Sequence, residues 1–320
     1  MGSRKVLLPV ALGSVLLDRF RLEEVLGAGG MGIVVRATNV QDGSAVALKF
    51  VRSEHVGRSS SERLLREAAA AAQINSPHVV KVSSWGTLSD GTPYLAMELL
   101  RGESLASLLA SGGPLPPATT CALIYQVCLG LRDAHGRGIV HRDLSANNLF
   151  ACKREGRLPF VKILDFGLAK SLTRPSDYQT TLGPSVLGSP AYMPPEQIRH
   201  PERLDPRSDL WSLAVVTQEL LTGKRPFVGR SHGDTLARIL SDMPEPMSAE
   251  IGLPERVRAV LARCLRKEPG ERPANVDELL RALSGATEAS PFVPNEDDPE
   301  SNDATLNDSS NLSPWRRLPC

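Results

Sequence analysis

The chain has 320 residues, of which 41% are hydrophobic and 23% charged, so it can bury a sizeable core and is not disordered as a whole. Its 37 basic and 36 acidic residues give a formal net charge of +1, which leaves no general electrostatic footprint for nucleic acid or an anionic membrane surface. Five scattered cysteines without a C-x-x-C pair predict neither a disulfide framework nor a zinc site and fit a reducing cytoplasm.

Residues 1–19 predict a lead-in segment with a strand rather than a signal peptide. Arg4-Lys5 precedes an apolar run, but Pro9 and Gly13 interrupt that run, and no A-x-A-type cleavage pattern follows it. No other stretch approaches the roughly 20 apolar residues that a membrane-spanning helix needs. We therefore expect a cytoplasmic protein without a membrane span.

Residues 20–50 predict three short strands. The apolar runs Phe20–Leu26 and Ile33–Thr38 flank a glycine-rich turn, and the turn Asp42-Gly43 leads to the run Ala45–Phe50. An Asp-Gly turn between two apolar runs is a strong signal for a β-hairpin.

Helical patterns dominate the rest of the chain. A helix is predicted over 61–73, where Ser61 can cap an alanine-rich run, and a strand over 93–99. Further helices are predicted over 104–110, 117–135, 209–222, 253–266 and 276–283. Residues 290–313 are rich in Asp, Asn, Ser and Pro and poor in large apolar residues, and the segment 284–320 is expected to be an acidic, disordered tail.

The glycine-rich turn is a candidate cover for phosphate groups. Residues 27–34, Gly-Ala-Gly-Gly-Met-Gly-Ile-Val, hold the pattern G-x-G-x-x-G-x-V, in which glycine lets the backbone approach phosphate oxygens closely. Alone the pattern is weak, because it also opens dinucleotide-binding domains, as in dehydrogenases, and fits an ordinary tight hairpin. A dinucleotide site needs a helix directly after the glycines, whereas here β-branched Ile33, Val34 and Val35 follow. The glycines are therefore expected in a hairpin.

Three charged residues stand at informative places. Lys49 closes an apolar strand, where it can either extend to solvent or point toward phosphates. Glu67 lies on the long helix and is the natural carboxylate to hold Lys49, although alone it would more often be a solvated helix residue. Asp165, in Asp165-Phe166-Gly167, follows an apolar run and is a candidate ligand for Mg²⁺.

The segment 141–148, His-Arg-Asp-Leu-Ser-Ala-Asn-Asn, places a carboxylate and a carboxamide five positions apart in a polar loop. A carboxylate can orient a hydroxyl nucleophile and take up its proton, and a carboxamide oxygen can ligate a hard cation such as Mg²⁺. Asp143 alone would more often be a turn or capping residue. Together, Asp143 and Asn148 provide the equipment for phosphoryl transfer to an alcohol.

The order of these motifs points to one family. The glycine-rich hairpin is followed by Lys49, Glu67, Asp143, Asn148 and Asp165, in the order and local contexts of the protein kinase signature. Residues 20–283 resemble a eukaryotic-type (Hanks-type) serine/threonine protein kinase, and the glycine loop looks most like the bacterial branch. The resemblance implies an α+β, bilobal fold, with a small β-rich lobe containing one long helix over about 20–100 and a larger helical lobe over about 101–283.

The resemblance also implies roles for individual residues. Asp143 would accept the proton of the substrate hydroxyl. Asn148 and Asp165 would hold Mg²⁺, and Lys49, braced by Glu67, would hold the α- and β-phosphates of ATP. Adenine would bind a hinge that follows a gatekeeper residue. The implied nucleotide-binding residues are Leu26, Gly27, Ala28, Gly29, Gly30, Met31, Gly32, Ile33, Val34, Ala47, Lys49, Met97 as the gatekeeper, and Glu98 and Leu100 of the hinge.

A regulatory segment is implied as well. The run from Gly188 to Glu196 resembles the end of an activation segment, and Arg272 resembles the arginine that pairs with Glu196. Arg142, directly before Asp143, suggests an enzyme whose activation-loop phosphate pairs with an arginine. The candidate phosphosites are Thr180, Thr181 and Ser185, with Thr181 as the first choice.

The chain departs from the family pattern at Ser145, where serine/threonine kinases usually carry a lysine near the transferring phosphate. Serine brings no positive charge, and losing one such donor can cost on the order of 3 kcal/mol in transition-state stabilisation. Two functions therefore stay open. One is an active kinase that uses ATP and Mg²⁺, autophosphorylates its activation loop and acts on proteins in a bacterial signalling pathway. The other is a pseudokinase that serves as an ATP-binding scaffold.

The partners that follow from this resemblance are protein substrates, a cytoplasmic regulator or a transient kinase dimer. Nucleic acid is not expected among them.

Overall fold

The computed structural model describes residues 11–29, 32–51, 58–154, 156–166 and 190–287. Residues 11–100, referred to here as the small lobe, are built on a six-stranded antiparallel sheet with the order β1-β2-β3-β4-β6-β5. Its strands are β1 (Val15–Leu16), β2 (Phe20–Gly29), β3 (Gly32–Asn39), β4 (Ala45–Val51), β5 (Val82–Thr87) and β6 (Pro93–Glu98).

The glycine-rich turn joins two paired strands, as predicted. β2 and β3 form an antiparallel hairpin in which Gly29 lies opposite Gly32, while Gly30 and Met31 lie outside the described residues. Because a strand follows the glycines, a dinucleotide-binding turn is excluded. A side chain at position 32 would put its Cβ 2.1 Å from the carbonyl oxygen of Phe50, so only glycine fits there.

The second predicted hairpin is also confirmed. β3 pairs with β4 in antiparallel register, and the connection contains Asp42-Gly43. Gly43 has a φ of 75°, which glycine adopts without steric cost. Asp42 accepts the backbone N–H of Ser44 at 2.8 Å, which fixes the turn locally.

The two faces of this sheet have different roles. One face carries Val35 and Leu48 into an apolar core. The other face carries Lys49, which lies opposite Val34 on β3 and Leu95 on β6. The helix α1 (Arg58–Ala71) packs on this second face through contacts with β5 and β6. The lysine and the long helix of the small lobe are therefore on the same side of the sheet.

Two details of the small lobe differ from the prediction. The helix α1 begins at Arg58, so Ser61 lies inside the helix and is not its N-cap. The strand β5 was not predicted, because its sequence Val-Ser-Ser-Trp-Gly-Thr is poor in apolar residues and it forms by pairing with β6.

Residues 101–287, the large lobe, are mainly helical. The helices are α2 (Leu105–Gly112), α3 (Pro117–His135), α4 (Pro195–Arg199), α5 (Pro206–Thr222), α6 (His232–Ser241), α7 (Glu255–Cys264) and α8 (Asp277–Thr287). A three-stranded antiparallel sheet contains β7 (Gly102–Ser104), β8 (Leu149–Cys152) and β9 (Phe160–Ile163). Most residues of α3 and α5 are buried in one large apolar core. Within the described ranges, no helix has the length and apolar composition needed to cross a membrane.

A short segment of the small lobe joins it to β9. Val79 forms a parallel bridge with Ile163, whose backbone N–H donates to the carbonyl of His78 at 2.8 Å. The helix α3 packs against the same contact, since a Cβ on Gly130 would lie 2.8 Å from Ile163 Cδ1 and 3.0 Å from the carbonyl oxygen of His78. The strand that leads to Asp165 therefore contacts both α3 and the small lobe.

Candidate active site

The loop between α3 and β8 brings Asp143 and Asn148 together. The side-chain nitrogen of Asn148 donates to the carbonyl oxygen of Asp143 at 2.8 Å and lies 3.5 Å from its carboxylate. A 3₁₀ turn, Ala146–Asn148, shortens the path between the two residues. Because the amide nitrogen of Asn148 makes these bonds, its amide oxygen is the atom that can face a cation.

Asp209 on α5 anchors this loop through hydrogen bonds to its backbone. Its side chain, on a residue only 1% exposed, accepts the backbone N–H of His141 at 2.8 Å and that of Arg142 at 2.9 Å. His135 Nε2 lies 2.7 Å from the same carboxylate. Burial by itself raises the pKa of Asp209, but the hydrogen bond and charge of His135 lower it below its usual range. Arg142 has a φ of 65°, which turns two successive N–H groups toward one carboxylate.

His141 connects the loop to Asp165. The backbone N–H of Asp143 donates to His141 Nδ1 at 3.2 Å, so the ring proton is at Nε2, 2.8 Å from the carbonyl oxygen of Leu164. Leu164 in turn donates its N–H to the carbonyl of Asn148 at 2.8 Å. Asp165 follows with a φ of 55°, a conformation that aspartate tolerates better than most side chains. Asp143, Asn148 and Asp165 thus belong to one hydrogen-bonded unit.

Lys49 reaches this unit from the small lobe, but not through the predicted partner. Its Nζ lies 2.5 Å from Asp165 Oδ2, and the lysine is only 9% exposed. Glu67 Oε1 lies 3.8 Å from Arg142 Nη1 instead, and Lys49 and Glu67 form no ion pair within the described residues. The expected Lys49–Glu67 pair is therefore wrong for this structure. Sequence places Glu67 on α1 but does not fix which of two nearby cations the helix will present it to.

The donor atoms suit Mg²⁺. Asp165 supplies a carboxylate and Asn148 a carboxamide oxygen, and the hydrogen bond between Leu164 and Asn148 keeps the two residues side by side. Magnesium in phosphoryl-transfer sites takes one or two protein oxygens and completes its shell with phosphate and water. Among the described residues no cluster of three His, Cys, Asp or Glu side chains could hold a metal without such a ligand.

The predicted nucleotide-binding residues do not all lie on one face. Ala47 pairs with Met97 across β4 and β6, and both share the face of Lys49 and Val34. Ile33 is 3% exposed and packs in the core on the opposite face, so only its backbone can face the cleft. Gly27 and Gly29 have open space where a Cβ would stand, and Leu26 is 47% exposed beside them. Ala28 completes this strand of the hairpin, opposite Ile33.

The predicted activation segment is described only at its end. Arg272 donates from both guanidinium ends to the two carboxylate oxygens of Glu196, at 2.7 Å each, and this pair is buried. The predicted Glu196–Arg272 pair is confirmed. The three candidate phosphosites, Thr180, Thr181 and Ser185, lie outside the described residues.

Ser145 sits at the start of the 3₁₀ turn, and its side chain makes no capping hydrogen bond there. It lies between Asp143 and Asn148 in sequence, where the family usually supplies a lysine. The position is half-buried, so a longer side chain there could reach the solvent side of the loop.

The sequence did not reveal the residues that support the candidate site from outside it. Asp209 was noted only as the start of a helix, and His135 only as the end of one. Lys162 was not singled out, although a lysine within the apolar run Val161–Leu164 is itself a signal, because a buried cation needs a counter-charge. It has one in Glu98, whose Oε1 lies 2.8 Å from Lys162 Nζ.

The comparisons agree with this geometry. The family model described as the protein kinase domain matches residues 20–283. The chain therefore belongs to the protein kinase family, in its bacterial Hanks-type serine/threonine branch. The predicted family and the predicted α+β bilobal fold are both confirmed.

Individual relatives show how far the likeness extends. The serine/threonine-protein kinase Pkn1 of Myxococcus xanthus is 37% identical over 278 residues, which cover 86% of this chain and 39% of that protein. The serine/threonine-protein kinase pkn3 of the same organism is 34% identical over 85% of this chain and 50% of its own length. The chain thus spans half or less of these relatives. The crystal structure of the Mycobacterium tuberculosis PknI kinase domain superposes with a TM-score of 0.68 at 24% identity, covering 87% of this chain and 100% of that one, and supports the fold alone.

Proposed function

We propose that the chain is an active serine/threonine protein kinase, which transfers the γ-phosphoryl group of ATP to serine or threonine hydroxyls of proteins. The observation that carries the proposal is the hydrogen-bonded unit of Asp143, Asn148 and Asp165, with Lys49 reaching Asp165 from the other lobe. The relatives' own names, serine/threonine-protein kinases, support the choice of acceptor.

Each residue has a defined task in this reaction. Asp143 accepts the proton of the attacking hydroxyl while the new O–P bond forms and ADP leaves with the electrons of the broken P–O bond. Lys49 holds the α- and β-phosphates, and the β2–β3 hairpin covers them. Mg²⁺, held by Asn148 and Asp165, would neutralise negative charge on the phosphates. Asp209 and His141 keep the loop in place without touching the substrate.

A second function rests on Ser145. Without a lysine at this position the transferring phosphate has one cation fewer beside it, and transfer is slowed. If transfer is lost altogether, the protein is a pseudokinase that binds ATP and acts as a scaffold. The retained Asp143 favours the active enzyme, because a scaffold has no use for a base at that place.

The test is phosphate transfer from γ-labelled ATP, with Mg²⁺, to the protein itself and to an added acceptor protein. Asp143→Asn is expected to reduce transfer by about 100-fold or more with little change in nucleotide affinity, because it removes the base and keeps the shape. Equal labelling by the wild-type protein and by the Asp143→Asn variant would reject the kinase hypothesis. Tight ATP binding with no transfer by the wild-type protein would favour the pseudokinase.

Ser145→Lys is the matching gain-of-function arm of this experiment. If the missing charge limits transfer, kcat rises, by up to about 100-fold. Mass spectrometry of the labelled protein locates any autophosphorylation, for which Thr181 is the first candidate. The cytoplasmic location, a cytoplasmic regulator and a transient kinase dimer stay predictions.

A further inference from the structure

The hinge between the lobes is fixed at both ends and open in the middle. The backbone N–H of Glu98 donates to the carbonyl of Lys81 at 3.0 Å, and the carbonyl of Arg101 accepts the N–H of Lys153 at 2.9 Å. Between these points, Leu99 and Leu100 make no backbone hydrogen bond with any described residue. Backbone groups that the fold leaves unpaired are available to a ligand. This two-residue opening is where the proposed function places adenine.

The side chain of Glu98 fixes one end of the opening. Its Oε1 accepts the backbone N–H of Lys81 at 2.7 Å and lies 2.8 Å from Lys162 Nζ. Lys162 is 6% exposed, whereas the Glu98 side chain is 25% exposed. Hydrogen bonds between charged groups at this distance are among the stronger ones in proteins. Glu98 is thus held through its backbone and its carboxylate at once.

Lys162, the partner of the Glu98 carboxylate, lies on a strand that is itself held by hydrogen bonds. It lies on β9, three residues before Asp165, opposite Phe150 on β8. Its neighbour Val161 donates its N–H to Gln126 Oε1 on α3 at 3.0 Å. The Glu98–Lys162 pair therefore ties the hinge to the same strand that delivers Asp165. A shift of the hinge along β9 would break this pair.

We propose that Lys162, acting through Glu98, is a positioning residue that sets the register of the hinge backbone and with it the preference for adenine over guanine. This inference rests on the proposed function, since it assigns a purpose to the nucleotide site. Adenine carries an amino donor at C6, where guanine carries a carbonyl acceptor. A backbone that is fixed to pair with the hydrogen-bonding groups of adenine leaves buried polar groups unpaired when guanine binds. Unpaired buried groups give strong discrimination between two ligands.

The two members of the pair are not equivalent as targets. Removing Glu98 leaves a buried cation without its counter-charge, which destabilises the fold. Removing Lys162 leaves a carboxylate that water can partly solvate and that still accepts the Lys81 N–H. Lys162→Met, which keeps the length and apolar stem of the side chain, is therefore the sharper variant. Lys162→Arg restores the charge and serves as the conservative rescue.

The experiment measures kcat/KM for ATP and for GTP on the full chain, with the same acceptor protein. The ratio of the two values does not depend on how much of the enzyme is folded, so a loss of stability alone leaves it unchanged. Lys162→Met is expected to lower the ATP/GTP ratio by about tenfold or more, mainly through a higher KM for ATP. Lys162→Arg is expected to recover part of the ratio. Arg263→Met, which removes the Arg263–Glu278 pair between α7 and α8, is the matched control and leaves the ratio at its wild-type value.

An unchanged ratio in Lys162→Met, with a lower melting temperature, would overturn the inference and leave the pair a structural one. A wild-type protein without transfer activity would count against the proposed function, not against this role. The dissociation constants of ADP and GDP then give the same ratio without turnover. A wild-type protein that binds ADP and GDP equally would overturn the inference by itself.

Discussion

The two halves of the candidate site are held in different ways. The half in the large lobe, Asp143 and Asn148, rests on hydrogen bonds from backbone N–H groups to a buried carboxylate, Asp209. The half in the small lobe, Lys49 and Glu67, rests on ion pairs with residues of the large lobe. The first kind of contact lies within one lobe, whereas the second joins side chains of the two lobes.

Burial distinguishes Asp209 from the Glu67–Arg142 pair. Asp209 is 1% exposed, while the side chains of Arg142 and Glu67 are 46% and 24% exposed. A buried charge that loses its partners costs about 3–5 kcal/mol, whereas an exposed ion pair is worth about 0–1 kcal/mol. Substitution of Asp209 should therefore affect stability and activity together, whereas substitution of Glu67 should separate them.

Asp209→Asn is expected to have the largest effect. An amide oxygen cannot accept both N–H groups and His135 as the carboxylate does, so a buried donor is left unpaired, at a cost of about 3 kcal/mol of unfolding free energy. The loop would also lose its support, and a displacement of about 1 Å at the reacting groups lowers kcat by about 100-fold. Urea unfolding and steady-state kinetics on one preparation measure both effects.

Asp90→Asn is the control for this change. Asp90 lies in the exposed turn before β6, where it accepts the N–H of Thr92 at 2.8 Å. Its substitution is expected to change stability by less than about 0.5 kcal/mol. If Asp209→Asn were as harmless as Asp90→Asn, the distinction between the two halves of the site would be wrong.

Local patterns were sufficient to predict most of the fold. The helix α3 has the predicted bounds, and both hairpins of the small lobe form where a glycine-rich or Asp-Gly turn separates apolar runs. The strand β5 and the helix α6 were missed. Both are short: β5 alternates between exposed and half-buried positions and forms by pairing with β6, and the buried residues of α6 are Thr235 and Ile239. Such elements depend on tertiary contacts that one segment does not encode.

The parts of the site that belong to short sequence motifs could be predicted from the sequence. Asp143, Asn148 and Asp165 come together as expected because Asn148 ends the 3₁₀ turn before β8, Asp165 follows β9, and Asp143 lies in the short loop that leads into that turn. The pairing of Glu67 could not be predicted, since it depends on the placement of α1 relative to Arg142, 75 residues further along the chain. The contribution of Asp209 to the catalytic loop is likewise a long-range contact, across 68 residues to His141.

His78 lies at the contact between the small lobe and β9, where its carbonyl accepts the backbone N–H of Ile163. Its substitution is expected to have an intermediate effect on stability. His78 is 3% exposed and stacks on Phe160 with ring centroids 4.4 Å apart. Burial lowers its pKa from 6.5 to about 4, assisted by the charges of Lys162 and Arg154. The unfolded chain therefore binds a proton as the pH falls below 6.5, while the folded protein does not until about pH 4. This residue alone should cost about 2 kcal/mol of stability between pH 7.5 and pH 5.

The measurement compares wild-type protein with His78→Gln. Glutamine keeps a donor for the carbonyl of Val161, which His78 Nδ1 contacts at 3.0 Å, but does not titrate. Urea unfolding at pH 7.5 and pH 5 should show a smaller acid loss in the variant by about 2 kcal/mol. Equal losses of unfolding free energy in the two proteins would show that His78 is not the group that makes this contact between the lobes sensitive to acid.

Glu67→Gln should have the smallest effect on stability and is the most direct test of exchange between pairings. Because the Glu67–Arg142 pair is 3.8 Å long and half exposed, its loss should change the unfolding free energy by less than about 0.5 kcal/mol. If Glu67 leaves Arg142 to brace Lys49 during turnover, kcat falls by about tenfold or more, since Lys49 then loses its orienting charge. Glu24→Gln, at an exposed carboxylate on β2, is the matched control and should change neither quantity. A wild-type kcat in Glu67→Gln would mean that the pairing with Arg142 persists in the working enzyme.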